Sequence, residues 1–426
     1  MPTHERFEVL VVGAGPAGIA AACAASSGAK VGLIDDNPSP GGQIWRSGKP
    51  AAGDHRADHW LRQLSQTKLM RLYRTQIVAA PEPGLLLAEY EGEPVELSYD
   101  KLILACGARE RSIPFPGWTL PNVVGAGGLQ ALVKAGLPVK GKRIVITGSG
   151  PLLLSVAAYA RQLGAAVPLV AEQAAWYRVA GFGLQLLWLS PGKLWQGTGY
   201  RWSLRNTRYL TGCWPTAAHG SAKVESVTFQ LGGQTWTEPC DMLACGFGLV
   251  PNLELPILLG CQVRDGVVVV DARQETSVPG VYCAGEITGV GGAELALLEG
   301  RIAGLAAIGN TRDAARYFTA RGRGVRFAAA LNRAFSLRHE LRELPDDDTF
   351  VCRCEDVTHQ RLQVLSSWRT AKLYTRCGMG RCQGRVCGPA AAFLFGWKHE
   401  SVRPPLFPTT VETLAGLPTG EKRNHE

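Results

Sequence analysis

The sequence predicts an α/β fold with two nucleotide-binding units of the Rossmann type, followed by a small helical module rich in cysteine. Two segments indicate the nucleotide-binding units, because each reads as a strand, a glycine turn, a helix and a second strand. One begins at residue 7 and the other at residue 142. The module is indicated by "VCRCED" and "RCGMGRCQGRVC", which place five of the 12 cysteines within residues 352–387.

The composition is that of a globular protein with a large core. The 426 residues are 46% hydrophobic and 19% charged, with a net charge of +9. Because the basic residues form no block with interleaved aromatic residues, we expect no nucleic-acid partner. A basic face that binds an acidic partner explains the positive charge equally well. No apolar run reaches about 18 residues and no signal pattern is present. We therefore expect a cytoplasmic protein without a transmembrane helix, and peripheral contact with the inner membrane stays an open alternative. In the reducing cytoplasm we expect no disulfide framework.

The first nucleotide-binding unit is "FEVLVVGAGPAGIAAACAASSGAKVGLIDD". Gly13 permits the sharp turn, Gly15 lets the backbone approach a pyrophosphate, and Gly18 lets helix and strand pack closely. The amides at the helix start then face the phosphates. Asp35 ends the second strand and is predicted to bind a ribose hydroxyl, with Asp36 as the alternative. The predicted binding residues here are Gly13, Gly15, Pro16, Ala17, Gly18, Asp35 and Asp36.

Four motifs resemble the successive FAD-domain motifs of two-dinucleotide-binding flavoproteins, the pyridine nucleotide-disulfide reductase superfamily. They are "GAGPAG", "PSPGGQIW", "YDKLILACGARERSIPFPGW" and "TSVPGVYCAGEITG". The resemblance implies a flavoprotein with Rossmann-like FAD and NAD(P)-type domains. It also implies that Glu286 faces the ribityl chain, where the family usually has Asp. The further FAD-binding residues that it implies are Gly42, Gln43, Ala105, Gly107, Gly285 and Glu286.

The second nucleotide-binding unit is "KRIVITGSGPLLLSVAAYARQLGAAVPLVAEQ". Gly148 and Gly150 match the first two glycines, whereas Leu153 occupies the position of the third. Leucine there separates helix and strand unless a neighbouring side chain is smaller. Glu172 can serve as the ribose acid. The unit is either a site for NAD(P) or another adenine nucleotide, or a relic of the fold retained for packing.

Dithiol exchange is excluded on the sequence. A disulfide reductase needs a redox-active cysteine pair beside the flavin, but "PGGQIW" is followed by Arg46 and the second unit contains no CxxC. The cysteines outside the module that stand isolated in apolar stretches are predicted to be core thiols. They are Cys106, Cys213, Cys240, Cys245, Cys261 and Cys283.

The module predicts a metal or iron–sulfur site. Cys352-x-Cys354 and Cys382-x4-Cys387 supply four thiolates, which select zinc or iron–sulfur in a reducing compartment. Structural zinc sites usually separate paired ligands by about two to four residues, so Cys-x-Cys favours a [2Fe–2S] cluster over zinc or free thiols. Cys377 is a fifth candidate, which we treat as a neighbour of the four ligands.

The module is similar to the bacterioferritin-associated-ferredoxin-like [2Fe–2S] module, whose second pair is CxxC. Glycines at 378, 380 and 384 would free backbone amides for hydrogen bonds to sulfur. Over roughly residues 5–400, the chain resembles α-type subunits of heteromeric flavin amino-acid dehydrogenases. This group includes D-hydroxyproline and proline dehydrogenases, opine oxidase and hydrogen cyanide synthase.

This resemblance implies an FAD-dependent oxidoreductase acting on CH–NH groups of amino or imino acids. Its partners would be a β subunit of the D-amino-acid-oxidase type and a small ferredoxin-like subunit. The leading hypothesis is an electron relay from the catalytic flavin subunit to an acceptor. The alternatives are a stand-alone NAD(P)H:acceptor oxidoreductase and a zinc-containing scaffold. The 8 histidines are scattered, so the catalytic residues stay unassigned.

The expected domains are an FAD domain (1–115 and 255–310), a second nucleotide-binding domain (116–254), a basic linker with a helix (311–345), the [2Fe–2S] module (346–400) and a tail (401–426). The basic linker is either a solvated face or a docking strip. Five tryptophans between 176 and 214 form either a protein interface or an aromatic core under a β-rich insert. Stacking of single-stranded nucleic acid is the least favoured interpretation.

Overall fold

The computed structural model describes residues 4–45, 55–398 and 402–415. The chain divides into two compact units. Unit 1 consists of Met1–Ala108, Pro251–Val325 and Ser401–Glu426, and unit 2 consists of Arg109–Val250 and Arg326–Glu400. Each unit contains a sheet with helices packed on it, which confirms the predicted α/β fold.

Strands and helices alternate through much of the chain. The strands are β1 His4–Val12, β2 Val31–Asp35, β3 Met70–Tyr73, β4 Thr75–Glu82, β5 Leu85–Tyr90, β6 Glu93–Leu104, β7 Ala108–Glu110, β8 Val123–Gly125, β9 Ile144–Gly148, β10 Leu169–Glu172, β11 Arg208–Thr211, β12 Cys213–His219, β13 Ser226–Leu231, β14 Gln234–Pro239, β15 Met242–Gly246, β16 Leu249–Pro251, β17 Val263–Arg264, β18 Val267–Val268, β19 Val281–Cys283, β20 Phe350–Cys352 and β21 Val357–Thr358. The helices are α1 Pro16–Ala25, α2 His55–Gln66, α3 Ala126–Lys134, α4 Leu152–Gln162, α5 Trp176–Leu189, α6 Pro191–Ser203, α7 Glu254–Leu258, α8 Ala293–Ala307, α9 Thr311–Ala315, α10 Phe318–Ala334, α11 His359–Gln363, α12 Trp368–Thr375, α13 Cys387–Phe395 and α14 Val411–Ala415.

Unit 1 is built on a seven-stranded sheet with the order β3-β2-β1-β6-β5-β4, in which β19 also pairs with β6. β1 pairs in parallel with β2 and with β6. The apolar residues of these strands are buried on both faces, as in other parallel sheets. The carboxyl ends of β1, β2 and β6 therefore meet at one edge, where Gly13, Asp35 and Ala105 lie.

Helix α1 packs tightly against α8 in unit 1. Nearly all residues of α1 are buried, and most of them are alanine. A Cβ atom on Gly300 or Gly304 of α8 would overlap the backbone oxygen of Ala17 or Ala21. Small residues on both helices thus bring the two backbones together and hold the start of α1 at the sheet edge.

Unit 2 contains a five-stranded parallel sheet, β11-β10-β9-β15-β8, and an antiparallel sheet, β12-β13-β14. The cysteine-rich segment belongs to this unit. The Trp118 indole donates to the Phe350 carbonyl over 2.6 Å. Arg109 Nε donates to the Arg385 carbonyl over 3.1 Å. The module therefore packs on the second nucleotide-binding unit.

The tryptophan-rich segment differs from the expected β-rich insert, because residues 176–203 form the two helices α5 and α6. Trp214 is buried, but the other four tryptophans are exposed, so the aromatic-core interpretation is wrong for them. They are Trp176, Trp188, Trp195 and Trp202. The sequence suggested a core because aromatic residues are usually buried, whereas here only one side of α5 packs inward.

The remaining segments complete the two units. Helix α10 confirms the helix predicted in the basic segment. In unit 1, the Thr410 amide donates to Glu89 over 2.8 Å, which fixes the segment before α14. Residues 416–426 of the tail lie outside the described residues. Within the described ranges, no helix combines the length and apolarity needed to cross a bilayer.

Candidate functional site

The glycine turn after β1 forms a backbone cradle at the sheet edge of unit 1. Gly13 has a φ of +105°, and its amide donates to the Ile34 carbonyl over 2.7 Å. A Cβ atom on Gly13 would overlap the Ala105 carbonyl, and one on Gly18 would overlap the Gly13 carbonyl. Only glycine fits at these positions, so the amides at the start of α1 stay accessible to an anionic ligand.

A second glycine segment faces this turn. The Gly41 amide donates to the Ala14 carbonyl over 2.8 Å. A Cβ atom on Gly42 would lie 3.0 Å from the Cα of Gly15, so a side chain there would crowd the turn. Gln43, beside it, is exposed. The pairing of Gly15 with Gly42 leaves backbone rather than side chains around the position predicted for a pyrophosphate.

Asp35 is tied directly to the glycine turn. It is buried, and its Oδ2 accepts from the Ala14 amide at 2.5 Å. Its Oδ1 accepts from the Asn37 amide at 2.8 Å. Asp36 is exposed and accepts from the Asn37 side chain at 2.8 Å. Of the two predicted acids, Asp35 is therefore the one at the base of the cradle.

A cavity of about 320 Å³ lies beyond Asp35. Tyr73, which pairs with Asp35 in the sheet register, forms part of its wall. The Tyr73 hydroxyl is buried and has no hydrogen-bond partner among the described residues. Because the walls are mainly apolar, this space suits a flat heteroaromatic ring that can satisfy the hydroxyl. The lining residues are Ser39, Pro40, Leu61, Leu64, Ser65, Arg71 and Tyr73.

The other predicted cofactor residues of unit 1 lie around the same edge. The Ala105 amide donates to the Val12 carbonyl over 2.8 Å, and Gly107 has a φ of +67°. A Cβ atom on Gly285 would lie 2.8 Å from the Cβ of Ala17, which places Gly285 against the start of α1. Glu286 is half-buried, and its carboxylate accepts from the Gly292 amide at 2.9 Å.

Glu299 is a residue of this site that the sequence analysis missed. It is 2% exposed on α8, and its Oε2 accepts from the Gly285 amide at 3.0 Å and from the Thr288 hydroxyl at 2.7 Å. Arg321 Nε donates to its Oε1 over 3.2 Å. Burial raises the pKa of Glu299, against these hydrogen bonds. The only sign of it in the sequence is that an acid stands within the largely apolar segment "LALLEGRIAG".

The second glycine turn, in unit 2, resolves the question raised by Leu153. Leu153 is fully buried, and a Cβ atom on Gly246 would lie 3.0 Å from its Cδ2. Gly246, at the end of β15, is therefore the small neighbour that the turn requires. Gly148 has a φ of +141° and thus matches Gly13, whereas Gly150 has a φ of +101° and its counterpart Gly15 a φ of −75°, so only the first glycine keeps the backbone geometry of the turn in unit 1.

The chain itself covers this second turn. Ser149 Oγ donates to the Phe335 carbonyl over 2.8 Å. Gln173 Nε2 donates to Ser149 Oγ over 2.8 Å and to the Ser336 carbonyl over 3.2 Å. The Phe335 ring comes within 3.9 Å of a Cβ placed on Gly150. Residues 335 and 336 thus occupy the side of the turn that a pyrophosphate would approach.

Glu172, the predicted ribose acid of unit 2, is fully buried. Its two carboxylate oxygens accept from the amides of Gly150 at 2.7 Å and Ala174 at 2.8 Å. Burial raises the pKa of Glu172 to about 7. Both oxygens are therefore engaged within the protein.

Three cysteine sulfurs of the C-terminal module meet, and two further cysteines lie beside them. The sulfurs of Cys352, Cys377 and Cys387 lie within 4.8 Å of one another. Cys382 is a hydrogen-bonding neighbour of Cys387 and of Cys354. The structure thus groups two of the four predicted ligands with Cys377, which the sequence treated as a neighbour, and places the other two, Cys354 and Cys382, next to this group. Cys354 is exposed, so the group reaches the protein surface on one side.

Short elements bring these thiols together. Cys352 ends β20, Cys377 follows α12, and Cys387 begins α13. Helix α12 starts at a capping box formed by Ser367 and Thr370. These elements explain how thiols separated by up to 35 positions in the sequence meet.

Backbone amides and one indole enclose the sulfurs. Hydrogen bonds with Cys377 and Cys387, together with the Gly378 amide, lower the pKa of Cys352. A bond with Cys387 and the amides of Val386 and Gly384 lower that of Cys382. Cβ atoms on Gly378 or Gly384 would collide with Trp368. Hydrogen bonding thus favours the thiolate at Cys352 and Cys382, whereas the hydrogen bonds with Cys352 raise the pKa of Cys377 and of Cys387, so the group shares protons in a shell that only glycine allows.

Comparison with known proteins assigns the family. Residues 7–183 and 202–304 match the pyridine nucleotide-disulphide oxidoreductase family. The chain belongs to this family. An opine oxidase subunit of Agrobacterium tumefaciens (strain Ach5) is 31% identical over 97% of this chain and 92% of its own length. Hydrogen cyanide synthase subunit HcnB of Pseudomonas protegens is 32% identical over 89% of each chain.

Solved structures show the same fold. L-proline dehydrogenase from P. horikoshii superposes with a TM-score of 0.72 at 18% identity, covering 96% of this chain and 80% of that one. T. acidophilum thioredoxin reductase superposes with a TM-score of 0.57 at 21% identity, covering 72% of this chain and 99% of that one. As a member of the pyridine nucleotide-disulphide oxidoreductase family, the chain is an oxidoreductase, and membership implies FAD.

We predict that Glu299→Ala weakens cofactor retention and destabilises the fold by about 3 kcal/mol, because it leaves the Arg321 guanidinium and the Gly285 amide without their buried acceptor. Glu299→Gln, which keeps the volume and one of the two acceptor oxygens, should have a smaller effect than Glu299→Ala. Thermal unfolding and the flavin-to-protein ratio after gel filtration measure the two effects.

The matched control is Glu294→Gln on the same helix, whose half-exposed side chain pairs with Arg56. We expect that change to cost less than about 1 kcal/mol. Unaltered stability and flavin content in Glu299→Ala would show that Glu299 does not position the 285–288 turn.

Proposed function

We propose that this chain is the FAD-containing electron-relay subunit of a heteromeric flavin dehydrogenase that oxidises the CH–NH group of an amino or imino acid. The observation that carries this proposal is the group formed by the sulfurs of Cys352, Cys377 and Cys387, with Cys354 and Cys382 beside it, in a chain with a flavin-family fold. When bound, FAD accepts electron pairs and releases electrons singly, and a [2Fe–2S] cluster carries one electron at a time.

FAD fits the residues of unit 1. The backbone around Gly13, Gly15 and Gly42 leaves space where side chains would obstruct a pyrophosphate. Asp35 lies at the base of this cradle, and the adjoining cavity with the Tyr73 hydroxyl suits the adenine ring. Glu299 orients the segment that contains Gly285 and Glu286, which we propose to contact the rest of the cofactor.

A [2Fe–2S] cluster fits the thiols of unit 2. We propose Cys352, Cys354, Cys382 and Cys387 as its four ligands, with Cys377 as the hydrogen-bonding neighbour. Clustered thiolates select zinc or iron–sulfur, and the single residue between Cys352 and Cys354 is a closer spacing than structural zinc sites usually have. The amides of Gly378 and Gly384 support the thiolates and would tune the potential of the cluster.

The chain lacks the parts that a dithiol reductase needs beside the flavin. No cysteine occurs between Cys23 and Cys106 in the sequence. Cys261 and Cys283 hydrogen-bond to each other, but both are buried in the apolar core of unit 1. Because this pair is inaccessible, the thiol group of the C-terminal module is the candidate route for electrons.

The names of the relatives support the substrate class and the assembly. Two of the relatives are named as subunits, one of opine oxidase and one of hydrogen cyanide synthase. One of the structures with the same fold is an L-proline dehydrogenase. We propose that a β subunit of the D-amino-acid-oxidase type oxidises the substrate, and that a small ferredoxin-like protein is a further partner in the complex. The exposed side of the thiol group, at Cys354, is available for exchange with an acceptor.

The cluster prediction is tested on protein purified without oxygen. We expect iron and acid-labile sulfide in equal amounts and an EPR signal after reduction with dithionite. Cys382→Ser should lose most of the iron, whereas Cys377→Ser should retain it with a shifted EPR spectrum or potential. Cys240→Ser, a buried thiol elsewhere in unit 2, is the matched control and should leave both unchanged.

Zinc alone, or no metal, would contradict the relay. If Cys377→Ser loses iron while Cys354→Ser keeps it, the cluster exists but its ligand set differs from the one proposed.

We also predict that NADH does not bleach the flavin in an anaerobic titration, because residues 335 and 336 cover the second glycine turn. Dithionite should bleach it, which controls for an intact flavin. An amino-acid substrate should bleach it only when the β subunit is present. Rapid bleaching by NADH would instead support the stand-alone NAD(P)H:acceptor oxidoreductase.

A further inference from the structure

The helices α5 and α6 expose a broad apolar surface, which we call the α5–α6 face. It consists of Tyr177, Leu184, Leu187, Trp188, Trp195 and Trp202. Trp188 is 89% exposed and Trp195 is 79% exposed. Monomeric proteins rarely expose large apolar side chains in such a group without a binding partner.

Helix α5 is apolar on two opposite sides. Phe182 and Leu186 are buried against Phe327 and its neighbours on α10. Leu184 and Trp188 are exposed and follow each other at a helical spacing of four residues. A helix that is apolar all round is normally buried, so the second apolar side of α5 requires a separate explanation.

The pattern continues in α6. Trp195 and Trp202 are seven residues apart, which places them on the same side of the helix. Both are exposed. Gly199 lies between them, and nothing within 4 Å would meet a Cβ atom there. The two tryptophans therefore stand out from a low surface.

The exposed basic residues of this face have no acid near them in the sequence. No Asp or Glu occurs between Glu172 and Glu225, a stretch of the sequence that contains both helices. Arg178 on α5, Arg201 on α6 and Arg205 just after α6 are exposed, whereas Arg208 pairs with Glu238. Two helices that expose tryptophan, leucine and arginine but contain no acid are complementary to a negatively charged apolar boundary.

We propose that the α5–α6 face binds the surface of an anionic lipid bilayer. The tryptophan and leucine side chains enter the boundary between headgroups and acyl chains, and the basic residues contact the lipid phosphates. Neither helix needs to span the bilayer, since the contact lies in the interfacial plane.

Vesicle co-sedimentation of the full chain, as purified with its cofactors and again with co-expressed subunits, tests this proposal. We expect binding to phosphatidylcholine vesicles that contain phosphatidylglycerol, weaker binding to pure phosphatidylcholine, and a loss with rising salt. Trp188→Ser with Trp195→Ser should reduce the affinity by about tenfold or more, because two large apolar contacts are removed. Arg201→Gln with Arg205→Gln should also reduce it by about tenfold, but only for anionic vesicles.

The matched control is Val364→Ser with Val411→Ser, which removes two apolar side chains that are 78% and 83% exposed outside this face. This pair should leave vesicle binding unchanged, and circular dichroism should show all variants folded. Absence of binding to either vesicle type overturns the proposal. If the tryptophan variant instead loses its co-purified subunits and still binds vesicles, the proposal is also overturned. The α5–α6 face would then be a protein interface.

Discussion

The C-terminal module is organised by the close approach of the Cys352, Cys377 and Cys387 sulfurs, with Cys354 and Cys382 beside them. Several thiolates in one partly buried region repel one another, so the arrangement needs shared protons or a bound cation to offset the charge. A Cβ atom on Gly380 would overlap Cys354, so only glycine fits there. The Trp368 ring packs over Gly378 and Gly384. The sharp turns, the capping box of α12 and the start of α13 all follow from bringing these sulfurs together.

The two glycine turns of the chain share the strand–turn–helix order but differ at the second glycine and in their surroundings. In unit 1 the turn faces a second glycine segment and adjoins a cavity, so space remains beside Asp35. In unit 2 the corresponding space is taken by residues 335 and 336, which Ser149 and Gln173 bind through hydrogen bonds. The same local motif thus presents an open cradle in one unit and a packed contact in the other.

Buried carboxylates connect the turns to the elements behind them. Asp35, Glu172 and Glu299 each accept hydrogen bonds from backbone amides, which offset the cost of removing a charge from water. Glu299 also pairs with Arg321, so part of the cofactor edge in unit 1 depends on a residue more than thirty positions away from Glu286. Loss of such an acceptor affects both folding and the shape of the site.

The sequence alone determined the two strand–turn–helix units, the choice of Asp35 at a strand end, and the thiols of the module, because each depends on neighbouring residues and regular spacing. Tertiary structure decided the position of Cys377 beside Cys352 and Cys387, the role of Glu299, and the approach of Phe335 to Gly150. It also showed that α5 buries one side and exposes the other. These features depend on contacts between residues far apart in the chain, which the packing of helices and sheets creates and which local periodicity does not specify.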